Sequence, residues 1–233
     1  IKAKIFSPKD LKSLINQINK GKVIARGNGR SYGDSSISVQ NTISMKNFNK
    51  MLNFDNKNGK LIAESGISLS DIIDVFLPQG WFPSVTPGSK LVTLGGMIAA
   101  DVHGKNHHKD GSFGNFVEWI QLLGKNGKLI KCSRKTNKKM FEMTIGGMGL
   151  TGVILKACIK LKPIETGWIK QKILITRNLE ETMDIFERSM DSTYSVAWID
   201  CLNSSPNLGR SLVMLGEHAK LNDLKENNYY KIF

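Results

Sequence analysis

Residues 26–34 read Arg26-Gly-Asn-Gly-Arg-Ser-Tyr-Gly-Asp34, and residues 86–114 read Thr86-Pro-Gly-Ser-Lys-Leu-Val-Thr-Leu-Gly-Gly-Met-Ile-Ala-Ala-Asp-Val-His-Gly-Lys-Asn-His-His-Lys-Asp-Gly-Ser-Phe-Gly114. Both stretches are crowded with glycine and hydroxyl donors. Glycine lacks the Cβ that blocks positive φ and close ligand approach, so successive N–H groups can converge on anionic oxygens. Two such loops, with strand and helix patterns between them, point to a large phosphate-bearing cofactor held along its length. The second loop also brings a histidine and a lysine to whatever the glycines hold.

The pattern outward from these loops is that of a mixed α/β chain. Ser7-Pro-Lys-Asp10 reads as a helix start with Ser7 as N-cap and Pro8 at the first helical position, and Leu11, Leu14, Ile15 and Ile18 fall on one face. Val23–Ala25 is a short buried strand that runs into the first loop. A strand is expected over Lys60–Glu64, a helix over Leu69–Leu77 stopped by Pro78, and a short helix after the cap Thr93. Glu118–Leu123 and Lys128–Cys132 form a hairpin about Gly124–Gly127; Lys135–Glu142 is helical, and Val153–Leu161 alternates as a strand. After Pro163 the pattern restarts as a β-α-β unit: strand Ile169–Ile175, helix Leu179–Met190, strand Ser195–Asp200. Trp198 and Asp200 are assigned to its core, and Leu221–Phe233 is expected to be poorly ordered.

Composition excludes several classes. The chain has 233 residues, 40% hydrophobic and 8% aromatic, and a formal charge of +13. That charge could serve nucleic acid or an anionic membrane surface. It is scattered, however, and the densest spots are Lys135–Lys139 and Lys156–Lys162, without the stripe of a nucleic-acid reader. No nucleic-acid partner is expected, and a non-catalytic basic module is the alternative from another class. Cys132, Cys158 and Cys201 are far apart, form no C-x-x-C, and suggest a reducing, cytoplasmic setting. No apolar run approaches the ~18 residues of a membrane span. The chain starts at Ile1 and is expected to lack its true N-terminus.

The candidate residues weigh as follows. Gly27-x-Gly29 is no Rossmann fingerprint, because the third glycine is replaced by Tyr32 and no helix opens there. His103 and His107 stand four apart as in H-E-x-x-H, but the glutamate is absent and Gly104 weakens any helix, so no metal is expected. His103 and Lys105 instead have the chemistry of a redox active-site edge: one to take a proton, one to hold negative charge.

Asp101-Val-His-Gly-Lys-Asn-His-His108 with Gly111–Gly114, supported by Gly146–Gly152 and Ser195–Asp200, is similar to the FAD-binding domain of the vanillyl-alcohol-oxidase/PCMH flavoprotein superfamily. The resemblance implies an α+β fold: a two-lobed PCMH-type FAD domain over 1–163, then the start of an α+β substrate-binding cap over 164–233. It implies that Arg26, Gly27, Asn28, Gly29, Arg30, Ser31, Tyr32, Gly33 and Asp34 grip the FAD pyrophosphate. Gly88, Thr93, Leu94, Gly95, Gly96, Ala100, Asp101, Val102 and His103 continue the contact, and the Gly146–Gly152 turn, Gly152 foremost, meets the adenine side with Ile154. His103, Lys105 and Tyr32 are the implied catalytic residues. Many relatives carry a flavin-tethering histidine where Arg30 stands, and residues 84–100 hold no cysteine, so the FAD is expected to be non-covalent. The implied activity is oxidation of a sugar secondary hydroxyl. It is most like C2′ oxidation of a polyprenylphosphoryl ribose during ribose-to-arabinose epimerisation, with a separate NAD(P)H-dependent reductase as partner. An alditol or aldonolactone oxidase acting on a soluble sugar is the alternative. A polyprenyl-phosphate substrate would also imply peripheral contact with the inner membrane. Members of the family are longer, so the chain is expected to carry the opening of the cap and to leave apolar faces of Ile169–Ile175 and Leu179–Met190 exposed.

Overall fold

Asp10, rather than Ser7, opens the first helix. Its carboxylate accepts the Ser13 N–H at 2.7 Å while Ser13 Oγ accepts the Asp10 N–H at 3.3 Å, a reciprocal capping box. A charged acceptor outcompetes the Ser7 hydroxyl for the free N–H groups of the first turn. The computed structural model describes residues 2–204 and 206–226. Strand β1 (Ile5–Phe6) precedes helix α1 (Leu11–Ile18), and strands β2 (Ile24–Arg26) and β3 (Thr42–Ser44) follow. The three strands pair in parallel with β3 in the middle. Leu14 and Ile18 of α1 pack with Ile43, Met45 and Phe48, and this small core continues into Leu123, Val153 and Leu155 of the larger lobe.

The larger lobe is built on an antiparallel sheet. Its elements are β4 (Met51–Asp55), β5 (Lys60–Glu64), α2 (Leu69–Phe76), β6 (Trp81–Pro83), α3 (Leu94–Ala99), α4 (His107–Asp110), β7 (Val117–Leu123), β8 (Leu129–Ser133), α5 (Lys138–Thr144) and β9 (Val153–Pro163). The strand order is β4-β5-β9-β7-β8, with β6 paired to the far end of β9. Strand β9 is central, and Val153, Ile154 and Leu155 on one side of Lys156 and Ala157, Cys158 and Ile159 on the other are all buried. A strand buried on both faces reads as a continuous apolar run rather than an alternation. Helices α2 and α3 cover one face with Leu69, Ile72, Phe76, Leu94, Met97 and Ile98. Helix α5 starts three residues later than the expected 135, because Ser133 Oγ accepts the N–H groups of Lys135 and Thr136 and holds them in a turn.

Beyond Pro163 lie β10 (Ile169–Thr176), α6 (Leu179–Arg188), β11 (Tyr194–Ile199), β12 (Ser211–His218) and α7 (Leu221–Glu226). The strands on either side of α6 do not pair. Strand β12 inserts between β10 and β11, antiparallel to both. The expected β-α-β unit is therefore the edge of an antiparallel sheet. One face is closed by α6, through Val213 and a buried cluster of Thr176, Thr182 and Ser211, in which Thr176 Oγ1 and Thr182 Oγ1 lie 2.6 Å apart. The opposite face carries Ile173, Ile175, Trp198 and Leu212, all exposed. Trp198 is 72% exposed, which corrects its assignment to a core. Leu221–Glu226 forms a helix where poor order was expected; 227–233 lie outside the described residues.

Candidate functional site

A cleft opens where the first glycine loop, the start of α3 and the turn before β9 converge. Its walls are Ala25, Gly27, Asn28, Gly29, Arg30, Ser31, Ser35, Ser36, Met45, Ser65, Val92, Thr93, Gly95, Gly96, Ala99, Ala100, Val102, Met148, Gly149, Gly152 and Ile154. The loops that are far apart in sequence touch here. A Cβ on Gly27 would fall 2.1 Å from Thr93 Oγ1, so only glycine permits the approach. Asn28 Nδ2 donates to the Leu91 carbonyl at 2.9 Å and staples one loop to the other. Gly29 takes φ +64, and a Cβ there would strike the Arg26 guanidinium, which lies along the loop and donates to Ser36 Oγ at 2.8 Å. Thr93 caps α3 with its hydroxyl toward the Gly96 N–H.

The third wall is fixed by the far end of α3. The Gly146 and Met148 N–H groups donate to the Ile98 and Ala99 carbonyls at 3.1 and 2.8 Å, which ties the turn to the last carbonyls of the helix. To do so the turn takes positive φ at Gly146, Met148 and Gly149. Met148 holds this conformation without glycine's freedom, a local strain borne at the cleft wall.

Twelve of the residues singled out in the sequence line the cleft: Gly27, Asn28, Gly29, Arg30, Ser31, Thr93, Gly95, Gly96, Ala100, Val102, Gly152 and Ile154. The others lie elsewhere. Arg26 props the first loop from behind, and Leu94 is buried in the core. Gly33, Asp34 and Gly88 are exposed, and Tyr32 is 99% exposed, so none of these forms part of the wall. Asp101 sits at φ +43 and turns its carboxylate to Ser112 Oγ and the Gly114 N–H, both at 2.8 Å, which pins the Gly111–Gly114 turn. His103 follows the wall residue Val102, bridges to Ser112, and meets His107 edge to face at 5.2 Å. Lys105 is exposed, and its carbonyl accepts the Ser195 N–H at 2.9 Å. Met148 and Gly149 belong to the Gly146–Gly152 turn that the resemblance implies for the adenine side, whereas sequence reasoning missed Ala25, Ser35, Ser36, Met45, Ser65, Val92 and Ala99. A small residue between the end of β5 and Gly66 was the available signal for Ser65.

The donor set suits a dinucleotide. Gly27–Ser31, Thr93, Gly95 and Gly96 offer small polar walls to a charged linker, while Met45, Val92, Met148 and Ile154 offer apolar surface to flat rings. Ser65 Oγ is a further sign. The residue is 2% exposed, its backbone is fully used by Leu155 and Gly95, and its hydroxyl has no partner in the protein. A buried hydroxyl without a partner costs about 1–3 kcal/mol, and a polar ligand in the cleft would remove that cost.

Comparison with known proteins agrees with this fit. A family described as FAD binding domain matches residues 4–133. The chain is 39% identical over 206 residues to decaprenylphosphoryl-β-D-ribose oxidase of Mycolicibacterium smegmatis, covering 87% of this chain and 45% of that protein. It is 28% identical to L-gulonolactone oxidase of Bos taurus, over 66% of this chain and 35% of the relative. It is 24% identical to D-lactate dehydrogenase of Anaerostipes hadrus, over 75% of this chain and 38% of the relative. The chain thus spans less than half the length of these relatives. By its cleft and by the match over 4–133, the chain belongs to the FAD-binding domain family, and FAD is its cofactor.

Proposed function

We propose that the protein to which this chain belongs is an FAD-dependent oxidoreductase that oxidises a secondary hydroxyl of a sugar, C2′ of a polyprenylphosphoryl ribose. The observation that carries this reading is the continuity of cleft and polar edge: the wall ends at Val102, and His103-Gly104-Lys105 follows without a break. Bound FAD supplies a two-electron acceptor. What remains for the protein is to take the hydroxyl proton and to steady negative charge. Imidazole exchanges a proton near neutrality, which suits His103 to the first task, and an ammonium group suits Lys105 to hold a substrate oxygen or phosphate. The FAD is held without a covalent bond, since Arg30 cannot tether the flavin and residues 84–100 contain no cysteine.

The similarity to the Mycolicibacterium oxidase supports the ribose substrate, and a separate NAD(P)H-dependent reductase would then complete an epimerisation. The similarity to L-gulonolactone oxidase favours a second reading, a soluble alditol or aldonolactone substrate. A cytoplasmic protein with peripheral contact at the inner membrane accords with the +13 charge and exposed Trp198 and Ile175; no helix of the described residues is long and apolar enough to cross a membrane. Anaerobic flavin bleaching by the complete protein separates the readings. Polyprenylphosphoryl ribose should bleach the flavin and free alditols should not; the reverse result establishes the second reading, and a colourless protein overturns both. Lys105→Met should retain FAD and lose bleaching by about 10²-fold.

A further inference from the structure

The most unusual group of side chains outside the cleft lies where the 169–218 sheet meets the loop that carries Lys105. Lys162, from the end of β9, donates to Tyr194 Oη at 2.6 Å, and Tyr194 Oη lies 3.0 Å from His218 Nε2. All three side chains are at least half withdrawn from solvent, and the Phe82 ring packs edge-on against His218 at 5.3 Å. None of them lines the cleft. Tyr194 is the first residue of β11, and the N–H of the next residue, Ser195, donates to the Lys105 carbonyl at 2.9 Å. The same two segments are joined again by His108 Nε2 with the Ser192 carbonyl at 2.8 Å and by Lys109 Nζ with the Asp191 carbonyl at 2.7 Å.

We infer that Tyr194 is a positioning residue for Lys105: its hydroxyl, clasped between Lys162 and His218, fixes the start of β11, and the Ser195 N–H passes that position to the Lys105 carbonyl. The inference rests on the proposed role of Lys105 for its consequence, whereas the hydrogen bond itself can be tested whether or not Lys105 acts on substrate.

The clasp has a proton requirement. An ammonium group only donates, so Tyr194 Oη accepts from Lys162 and must give its own proton onward. The acceptor is His218 Nε2, which therefore has to be unprotonated. A proton on Nε2 would point back at Tyr194, leave the phenol hydrogen without an acceptor, and set a second cation beside Lys162. The surroundings oppose that proton. Burial, then the Lys162 charge, hold His218 below the usual histidine range; the Thr166 backbone and Glu217 pull the other way. His218 Nδ1 is buried and closes no hydrogen bond of normal geometry, although the Thr166 backbone is near enough to favour charge on the ring. Burial also lowers Lys162, against the attraction of Asp110 and Glu217 and together with repulsion from Lys109. Burial, with Asp110 and Glu217 beside it, pushes the Tyr194 phenol far up, so Tyr194 keeps its proton. The clasp is thus formed at neutral pH and released as His218 takes up a proton below its ordinary range.

Amide hydrogen exchange of the FAD-loaded full chain tests this directly. Going from about pH 7.5 to about pH 5, the protection factor of the Ser195 amide should fall by roughly tenfold, the worth of one hydrogen bond, while that of Ile120 in the central sheet stays level. In His218→Gln the side-chain amide accepts from Tyr194 without titrating, so Ser195 protection should be high and independent of pH. In Tyr194→Phe it should be low throughout. Should Tyr194→Phe fail to fold, the wild-type and His218→Gln series still decide the matter. Ser195 protection that follows Ile120 in the wild type, or that falls equally with acid in His218→Gln, overturns the inference.

Discussion

The lobes around the cleft and the 169–218 sheet are both antiparallel β structure covered by helices, yet they stabilise themselves differently. In the lobes, β9 is covered on both faces and the site is made by backbone brought into contact at glycine. In the 169–218 sheet only the α6 side is closed, and the other side ends in two unlike features: the Lys162–Tyr194–His218 clasp at one end and the open Ile175–Trp198–Leu212 surface at the other. The lobes therefore depend on shape, and the seam with the later sheet depends on protons. Substitutions that fill space should be felt in the first region, and substitutions that change charge in the second.

The largest effect is expected at the contact between the loops. Gly27→Val would drive a branched side chain into Thr93, and FAD affinity by fluorescence titration should fall by about 10²-fold or more, equivalent to about 2.7 kcal/mol. Gly88→Ala is the control, since nothing lies within 4 Å of its added Cβ. Equal losses in both would mean that the loop contact has no special part in holding the cofactor. A smaller effect belongs to Ser65→Ala. Removing a hydroxyl that bound FAD would satisfy should weaken binding by about fivefold to tenfold while slightly stabilising the free protein. Unchanged affinity would mean that the hydroxyl does not meet the cofactor.

The proton-dependent region gives a stability prediction of definite sign. His218 is held below its unfolded value, so between that folded value and about 6.5 the unfolded chain binds more protons than the native one. The contribution is whole above about 6.5 and is lost as pH falls through the folded value. Thermal melts should show the wild-type midpoint falling a few degrees more than that of His218→Gln between about pH 7.5 and about pH 5. Parallel curves would place the acid sensitivity elsewhere. The smallest effect is expected on the open face: Trp198→Ser should change unfolding free energy by no more than about 0.5 kcal/mol while raising solubility. A large destabilisation would show that this face is covered in solution.

Much of the lobed part was legible in the sequence, because its signals are local. Lys60–Glu64 is a strand, Thr93 caps α3, and Pro78 ends α2 in a 3₁₀ turn at Leu77–Gln79, since the chemistry of caps, alternation and proline acts over a few residues. Part of the cleft was legible for the same reason: glycines needed for close approach announce themselves. Ser65 and Met45 were not, because a serine or methionine carries no mark of the cavity that another segment builds beside it.

The sequence by itself determined that two glycine-rich loops, separated by strand and helix, carry the backbone freedom and hydroxyl donors a diphosphate needs, and that His103 and Lys105 lie in the second of them. Backbone freedom and donor density are properties of the residues themselves. Only the tertiary structure decided that Tyr32 stands in solvent, that Asp101 serves the Ser112–Gly114 turn, that β12 parts β10 from β11, and that Lys162, Tyr194 and His218 meet. The last two are pairings across long sequence separations, selected by which faces could be buried together, and no local pattern encodes them.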